Sequence, residues 1–93
     1  MNTAQKGRRN EYKSRRVFEA LNYRVTRAAA SLGVFDLIAI GPTDIILCQV
    51  KSNRGLSPAD REKVERFPCP PNCRKLIHRW KDYGRVPEVE EVR

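Results

Sequence analysis

No apolar stretch in this sequence approaches the ~20 residues of a membrane span, and Met1 to Asn10 lacks the hydrophobic segment of a secretory signal. The expectation is a cytoplasmic protein, either cellular or phage-encoded and acting in its host. Cysteine is scarce and odd in number, so Cys48, Cys69 and Cys73 do not suggest a disulfide framework. Cys69, Cys73 and His78 have the residue types of a zinc site, but a fourth ligand is missing unless distant Cys48 turns inward. Cys48 sits in an apolar run and reads more simply as a small core side chain. His78 is the single histidine. With no sequence-adjacent nucleophile or acid to pair with, it suits a packed or surface position better than a catalytic one. Repeats, linkers and low-complexity tracts are absent too. Together with 40% hydrophobic and 32% charged residues, that leaves an ordinary globular chain, expected to form one domain over residues 1–93. A core of this size is modest, and self-association is a reasonable expectation.

Acidic residues are the other shortage. Eleven Asp plus Glu face nineteen Lys plus Arg, a net charge of +8, which marks a protein that meets a polyanion. The excess is uneven. Lys6, Arg8, Arg9, Lys13, Arg15, Arg16, Arg24 and Arg27 are opposed in residues 1–28 only by Glu11 and Glu19, so this segment supplies +6. A nucleic-acid contact is expected there, with a solvated basic face or arm as the alternative.

From Arg8 to Leu21, residues Ser14, Val17, Phe18 and Leu21 fall at helical spacing and predict an amphipathic, basic helix. Glu11, seven positions before Phe18, then points within roughly 20° of it, toward the buried side. A buried acid must be paired, protonated or bound to a cation; alternatively, Glu11 frays into solvent at the helix start. Tyr23 to Arg27 suits a short edge strand and Ala28 to Gly33 a loop. Val34 to Ile40 and Ile45 to Val50, separated by Gly41-Pro42-Thr43-Asp44, predict a hairpin. With Ile40 opposite Ile45, Asp36 faces Gln49 and Val34 faces Lys51, all on the face that carries Ile38, Ile40, Ile45 and Leu47. Asp36, Gln49 and Lys51 are thus polar intrusions at one end of an apolar surface, either functional or a structural Asp–Lys pair. Ser57-Pro58-Ala59-Asp60 spells a helix start, running to about Arg66. A stiff Pro-rich loop follows at 67–72, then a strand from Arg74 to Trp80. Gly84 to Arg93 either adds an edge strand or trails. The result is an α/β (α+β) chain with a mixed sheet, in the order helix, strand, strand, strand, helix, strand.

A helix with an inward Glu, an Asp on one hairpin strand and Gln-Val-Lys on its partner resembles the PD-(D/E)XK nuclease superfamily, and within it the archaeal and phage type of Holliday junction resolvase. The resemblance rests on Lys6-Gly7, Glu11, Ser31, Gly33-Val34-Phe35-Asp36-Leu37 and Gln49-Val50-Lys51-Ser52, and continues more loosely to Trp80. It implies a restriction-endonuclease-like αβββαβ core. Asp36 would be the central metal ligand, Gln49 would stand at the family's second acid, Val50 would offer its carbonyl and Glu11 would be the helix-borne acid. Lys51 would be the catalytic lysine, and Ser31 a loop serine near the active site or DNA.

The chemistry follows from the residue types. Phosphodiester hydrolysis needs a nucleophile at neutral pH and charge neutralisation on the phosphate, and a divalent cation on oxygen ligands provides both. Mg2+, with Mn2+ as an alternate, suits carboxylate, amide and main-chain oxygens. Arg8, Arg9, Lys13, Arg15 and Arg54 would contact DNA phosphates, giving salt-dependent affinity with little base information. The implied substrate is branched DNA, a four-way junction, cut by a homodimer whose two-fold axis matches it. Two alternatives remain: another nuclease of the superfamily acting on flaps or duplex, or a basic nucleic-acid-binding protein without catalysis. An RNA-binding accessory role is disfavoured by the lack of an aromatic stacking signature.

Overall fold

The β-branched runs on either side of Gly41 to Asp44 do form the hairpin, and the rest of the sheet grows from it. In the computed structural model, which describes residues 3–28 and 33–93, the elements are α1 (Thr3–Ala20), β1 (Arg24–Arg27), β2 (Leu37–Ile40), β3 (Ile45–Ser52), α2 (Pro58–Arg66), β4 (Cys73–Trp80) and β5 (Glu88–Val92). Ile40 lies opposite Ile45, as the loop length requires. The turn is closed by Gly41 N–H donating to the Asp44 carbonyl at 2.8 Å. A Cβ at Gly41 would lie 2.6 Å from the Tyr23 ring, so only glycine lets the ring cover the turn. From there the Tyr23 hydroxyl donates to Asp44 at 2.7 Å.

The sheet has the order β1-β2-β3-β4-β5, antiparallel except for the β3–β4 pair. A parallel pair needs a crossover, and α2 provides it. Its start is built as the sequence spells it: the Ser57 side chain accepts the Asp60 N–H at 3.2 Å and Pro58 opens the helix. Its end is held by a residue that sequence inspection passed over. Buried Lys75 on β4 donates from Nζ to the carbonyls of Val64, Glu65 and Phe67 at 2.8, 2.9 and 3.0 Å. A cation thereby meets the unpaired carbonyls and the negative end of the helix dipole.

Strand alternation divides the core into two layers. Phe18 of α1 packs on Leu37, Ala39, Cys48, Leu76 and Trp80 on one side of the sheet. Val64 of α2 packs with Phe35, Leu47, Ile77 and Val92 on the other. In the α1 layer the buried Ser14 hydroxyl accepts from Trp80 Nε1 at 2.7 Å, leaving its proton for His78 Nδ1 at 2.9 Å. His78 stacks on Phe18 with ring centroids 4.8 Å apart, and burial lowers its pKa to about 4. The lone histidine is therefore a neutral core residue.

Two sequence expectations change. Helix α1 begins at Thr3 rather than Arg8 and ends at Ala20, so Leu21 falls outside it and is exposed, while Asn22 takes the left-handed conformation with φ 69°. Cys69 and Cys73 pair as a disulfide with Cα atoms 5.5 Å apart. The zinc grouping does not form: Cys69 and Cys73 lie against the α2 layer, whereas His78 points into the α1 layer. Of the two alternatives left open for Gly84 to Arg93, the edge strand forms, over Glu88–Val92. Among the described residues, no helix is long and apolar enough to cross a membrane.

Candidate functional site

The hairpin ladder stops one residue before the candidate acid. Its last pair is Leu37 with Cys48. Beyond it, the Asp36 N–H donates to the Cys48 carbonyl at 2.9 Å, and the Val50 N–H turns to the Asp36 side chain, reaching Oδ2 at 2.8 Å. The expected facing of Asp36 with Gln49 and of Val34 with Lys51 is therefore not realised; β2 is Leu37–Ile40 rather than Val34–Ile40. The physical reason is a reversal at Asp36. Phe35 packs in the α2 layer and Leu37 in the α1 layer, whereas a regular strand would send both to one side. The Asp36 carboxylate replaces a ladder acceptor. The N–H and C=O of one strand residue point the same way, so the Val50 carbonyl is directed into the same gap.

Electrostatics single out this carboxylate. Burial raises the Asp36 pKa above the ordinary carboxylate value, and the neighbouring Glu11 charge pushes in the same direction. The Val50 N–H, Lys51 and Arg27 act against the rise without cancelling it. Asp36 is thus a desolvated acid short of positive charge, within electrostatic reach of both Glu11 and Lys51. Glu11 does not fray, because α1 continues to Thr3; its side chain is 21% exposed and accepts from Arg27 Nε at 3.3 Å. Gln49 is buried, and its Oε1 has no hydrogen-bond partner among the described residues. By alternation Gln49 and half-buried Lys51 share the Leu47 side of β3, while Glu11 approaches from the α1 side. Asp36 stands between them at the end of the sheet.

This donor set suits a hard, partly hydrated cation. Among the described residues no three His, Cys, Asp or Glu side chains are grouped as a metal site. A magnesium ion that keeps several waters needs fewer: one or two carboxylates, with neutral oxygens completing the set. Asp36 and the Val50 carbonyl share a gap, Glu11 is the second acid, and the orphaned Gln49 amide oxygen is a buried acceptor lacking a donor or cation.

The sequence-predicted DNA contacts fall in three places. Arg8 and Arg15 line a depression of about 210 Å³ with Glu11, Tyr12 and Arg27. Arg9 and Lys13 lie in a groove of about 300 Å³ with Lys6, Lys81 and Tyr83. Arg54 is exposed near Arg61 and Arg79. Ser31 lies outside the described residues. Arg27, one of the basic residues of the segment expected to meet nucleic acid, is paired by β1 beside Leu37. Sequence inspection missed Asn10, which is buried and donates from Nδ2 to Ser52 Oγ at 2.5 Å. That Arg27 reaches Glu11 depends on the β1–β2 register. Asn10 carried a sequence signal, lying four positions before Ser14 on the same helix face.

No protein-family model matches the chain, and no curated protein matches it. Among solved structures it is similar to Hjc of Archaeoglobus fulgidus, a Holliday junction resolvase from an archaeal hyperthermophile. The TM-score is 0.71 at 15% sequence identity, covering 94% of this chain and 71% of that one. The likeness shows the fold: two helices and a mixed five-stranded sheet in the restriction-endonuclease-like arrangement that the family resemblance implied.

Proposed function

We propose that this chain is a metal-dependent endonuclease acting on branched DNA, four-way junctions foremost. The observation that carries the reading is the desolvated Asp36 carboxylate at the end of the hairpin, with Lys51 and Glu11 in electrostatic reach. Stability alone does not explain an acid held where burial raises its pKa. The resolvase-like fold supports the same reading.

In this mechanism Asp36, Glu11, the Val50 carbonyl and Gln49 would hold a divalent cation, which would supply Lewis-acid polarisation and charge neutralisation. Lys51 stabilises negative charge developing on the scissile phosphate and helps orient the attacking water. Arg8, Arg15 and Arg27 hold the DNA backbone beside the site through phosphate contacts that carry no base information. The neutral amide of Gln49 lowers the charge of the cage relative to a second acid, so affinity for the cation is weaker. A two-fold homodimer would present two such sites to a two-fold symmetric junction; light scattering that shows only monomer at working concentration would remove that part.

The test is a substrate panel of labelled four-way junction, flap and linear duplex, with and without Mg2+ or Mn2+. Metal-dependent junction cutting with linear duplex spared is the expected result. Equal cutting of all three would make the chain a less selective nuclease of the same fold. Binding without metal-dependent cutting of any substrate would make it a DNA-binding protein in which Gln49 has ended catalysis.

A further inference from the structure

One large aromatic side chain serves no purpose in the folded chain. Tyr83, in the turn between β4 and β5, is fully exposed and has the left-handed backbone conformation with φ 64°. Bulky L residues rarely adopt that conformation, and glycine or asparagine would relieve it. The turn itself is firmly held. Asp82 N–H donates to Asn53 Oδ1 at 3.0 Å, Asn53 Nδ2 donates back to Asp82 at 3.2 Å, and Gly84 N–H closes the turn on the Lys81 carbonyl at 2.9 Å. Lys6 pairs with Asp82 at 2.6 Å. The ring is thus displayed on a fixed base.

Its surroundings are cationic. The groove it borders contains Lys6, Arg9, Lys13 and Lys81, with Asp82 as its single acid. Two of those cations have other partners as well: Lys81 pairs with Glu88 at 2.9 Å, and Lys13 lies over the Trp80 ring. The groove lies beside the end of β3 that carries Lys51: Asn10, in the groove wall, donates to Ser52, and Asn53 bonds Asp82. A flat apolar ring beside a track of cations matches a ligand with an anionic backbone and an exposed π-face.

We propose that Tyr83 is a stacking platform for a DNA base left unstacked at a branch point or bulge, while Lys6, Arg9 and Lys13 hold the strand that carries it. This inference deepens the branched-DNA reading and rests on it. It gives the chain a way to distinguish branched from linear DNA. In a continuous duplex every base is already stacked, so the ring gains nothing there.

The test measures binding without cleavage, in EDTA, by fluorescence anisotropy on linear duplex, duplex with an unpaired bulge, and four-way junction. A 2-aminopurine in the bulge, or next to the branch point of the junction, reports stacking. Tyr83→Ala should weaken binding to bulged and branched DNA by roughly ten-fold and relieve the 2-aminopurine quenching, with linear duplex unaffected. Tyr83→Phe, which keeps the ring and loses the hydroxyl, should restore both. Since the residue is fully exposed, both variants should fold; quenching in the unaltered protein tests the contact without either. Equal loss on all three DNAs, no loss on any, or failure of Tyr83→Phe to rescue would overturn the proposal. Tighter binding of single-stranded RNA than of bulged DNA would overturn the choice of ligand. Junction cutting that proceeds with no quenching removes this inference alone. Stacking without metal-dependent cutting keeps the platform and removes the nuclease.

Discussion

The carboxylates of this protein fall into two regions that treat charge in opposite ways. Along β5, Glu88 pairs with Arg79 and Lys81, Glu90 with Arg61, and Glu91 with Arg74, and these partners hold all three carboxyls below their usual range. At the end of the hairpin, Asp36 goes the other way, because burial outweighs the help it receives from the Val50 N–H, Lys51 and Arg27. The edge is electrostatically complete in solvent, where such pairs add little to stability. The hairpin end is incomplete, and incompleteness of this kind invites a cation.

The largest expected effect breaks that contrast at its centre. Asp36→Asn keeps an acceptor for the Val50 N–H and removes the desolvated charge, so metal-dependent cleavage should fall by roughly 10³-fold or more while Tm holds or rises. Lys51→Ala should cost a similar factor in cleavage with binding of junction DNA within about two-fold. Gel assays beside thermal melts would decide both, and an Asp36→Asn protein that still cuts would refute the site.

Acid titration is expected to separate a third kind of buried polar group from both regions. Unfolding frees His78 to protonate near its ordinary value of 6.5, whereas in the fold it remains neutral down to about 4. Above pH 6.5 both states are neutral and nothing is lost. As pH falls from 6.5 toward 4 the unfolded chain binds the extra proton, and stability should drop by up to about 3 kcal/mol. The β5 carboxylates, whose pKa values are lowered in the fold, should begin to lose their contribution only below the ordinary carboxylate range. Denaturant melts of the unaltered protein and of His78→Phe, which keeps the stack on Phe18, should differ in slope only between those two pH values.

Cation binding is a smaller and more direct measure. Magnesium at ten times its dissociation constant should stabilise the fold by about 1.4 kcal/mol, a Tm increase of several degrees. Asp36→Asn should abolish the increase and Gln49→Glu should enlarge it. The smallest effect lies at the edge. Glu90→Gln, which opens the Arg61 pair, should move Tm by no more than a few degrees and leave cleavage unchanged.

Much of this was legible in the chain. Ile40 opposite Ile45 followed from the length of the turn, the start of α2 from Ser57-Pro58, and the order of helices and strands from where period 2 replaces period 3.6. Asp36 and Lys51 stood out because they break an apolar pattern, and Glu11 because it shares a helix face with Phe18. These are local facts, set by turn length, capping and side-chain direction, and a sequence carries them by itself. The tertiary structure alone decided that Asp36 leaves the ladder, because the reversal depends on Phe35 and Leu37 finding room in different layers. Likewise, β1 had to pair with β2 before Arg27 could reach Glu11, and β4 had to lie beside β3 before Lys75 could cap α2 and His78 could find Ser14. Each of these contacts joins residues distant in sequence, and burial, which sets the Asp36 and His78 pKa values, belongs to the packed whole rather than to any segment.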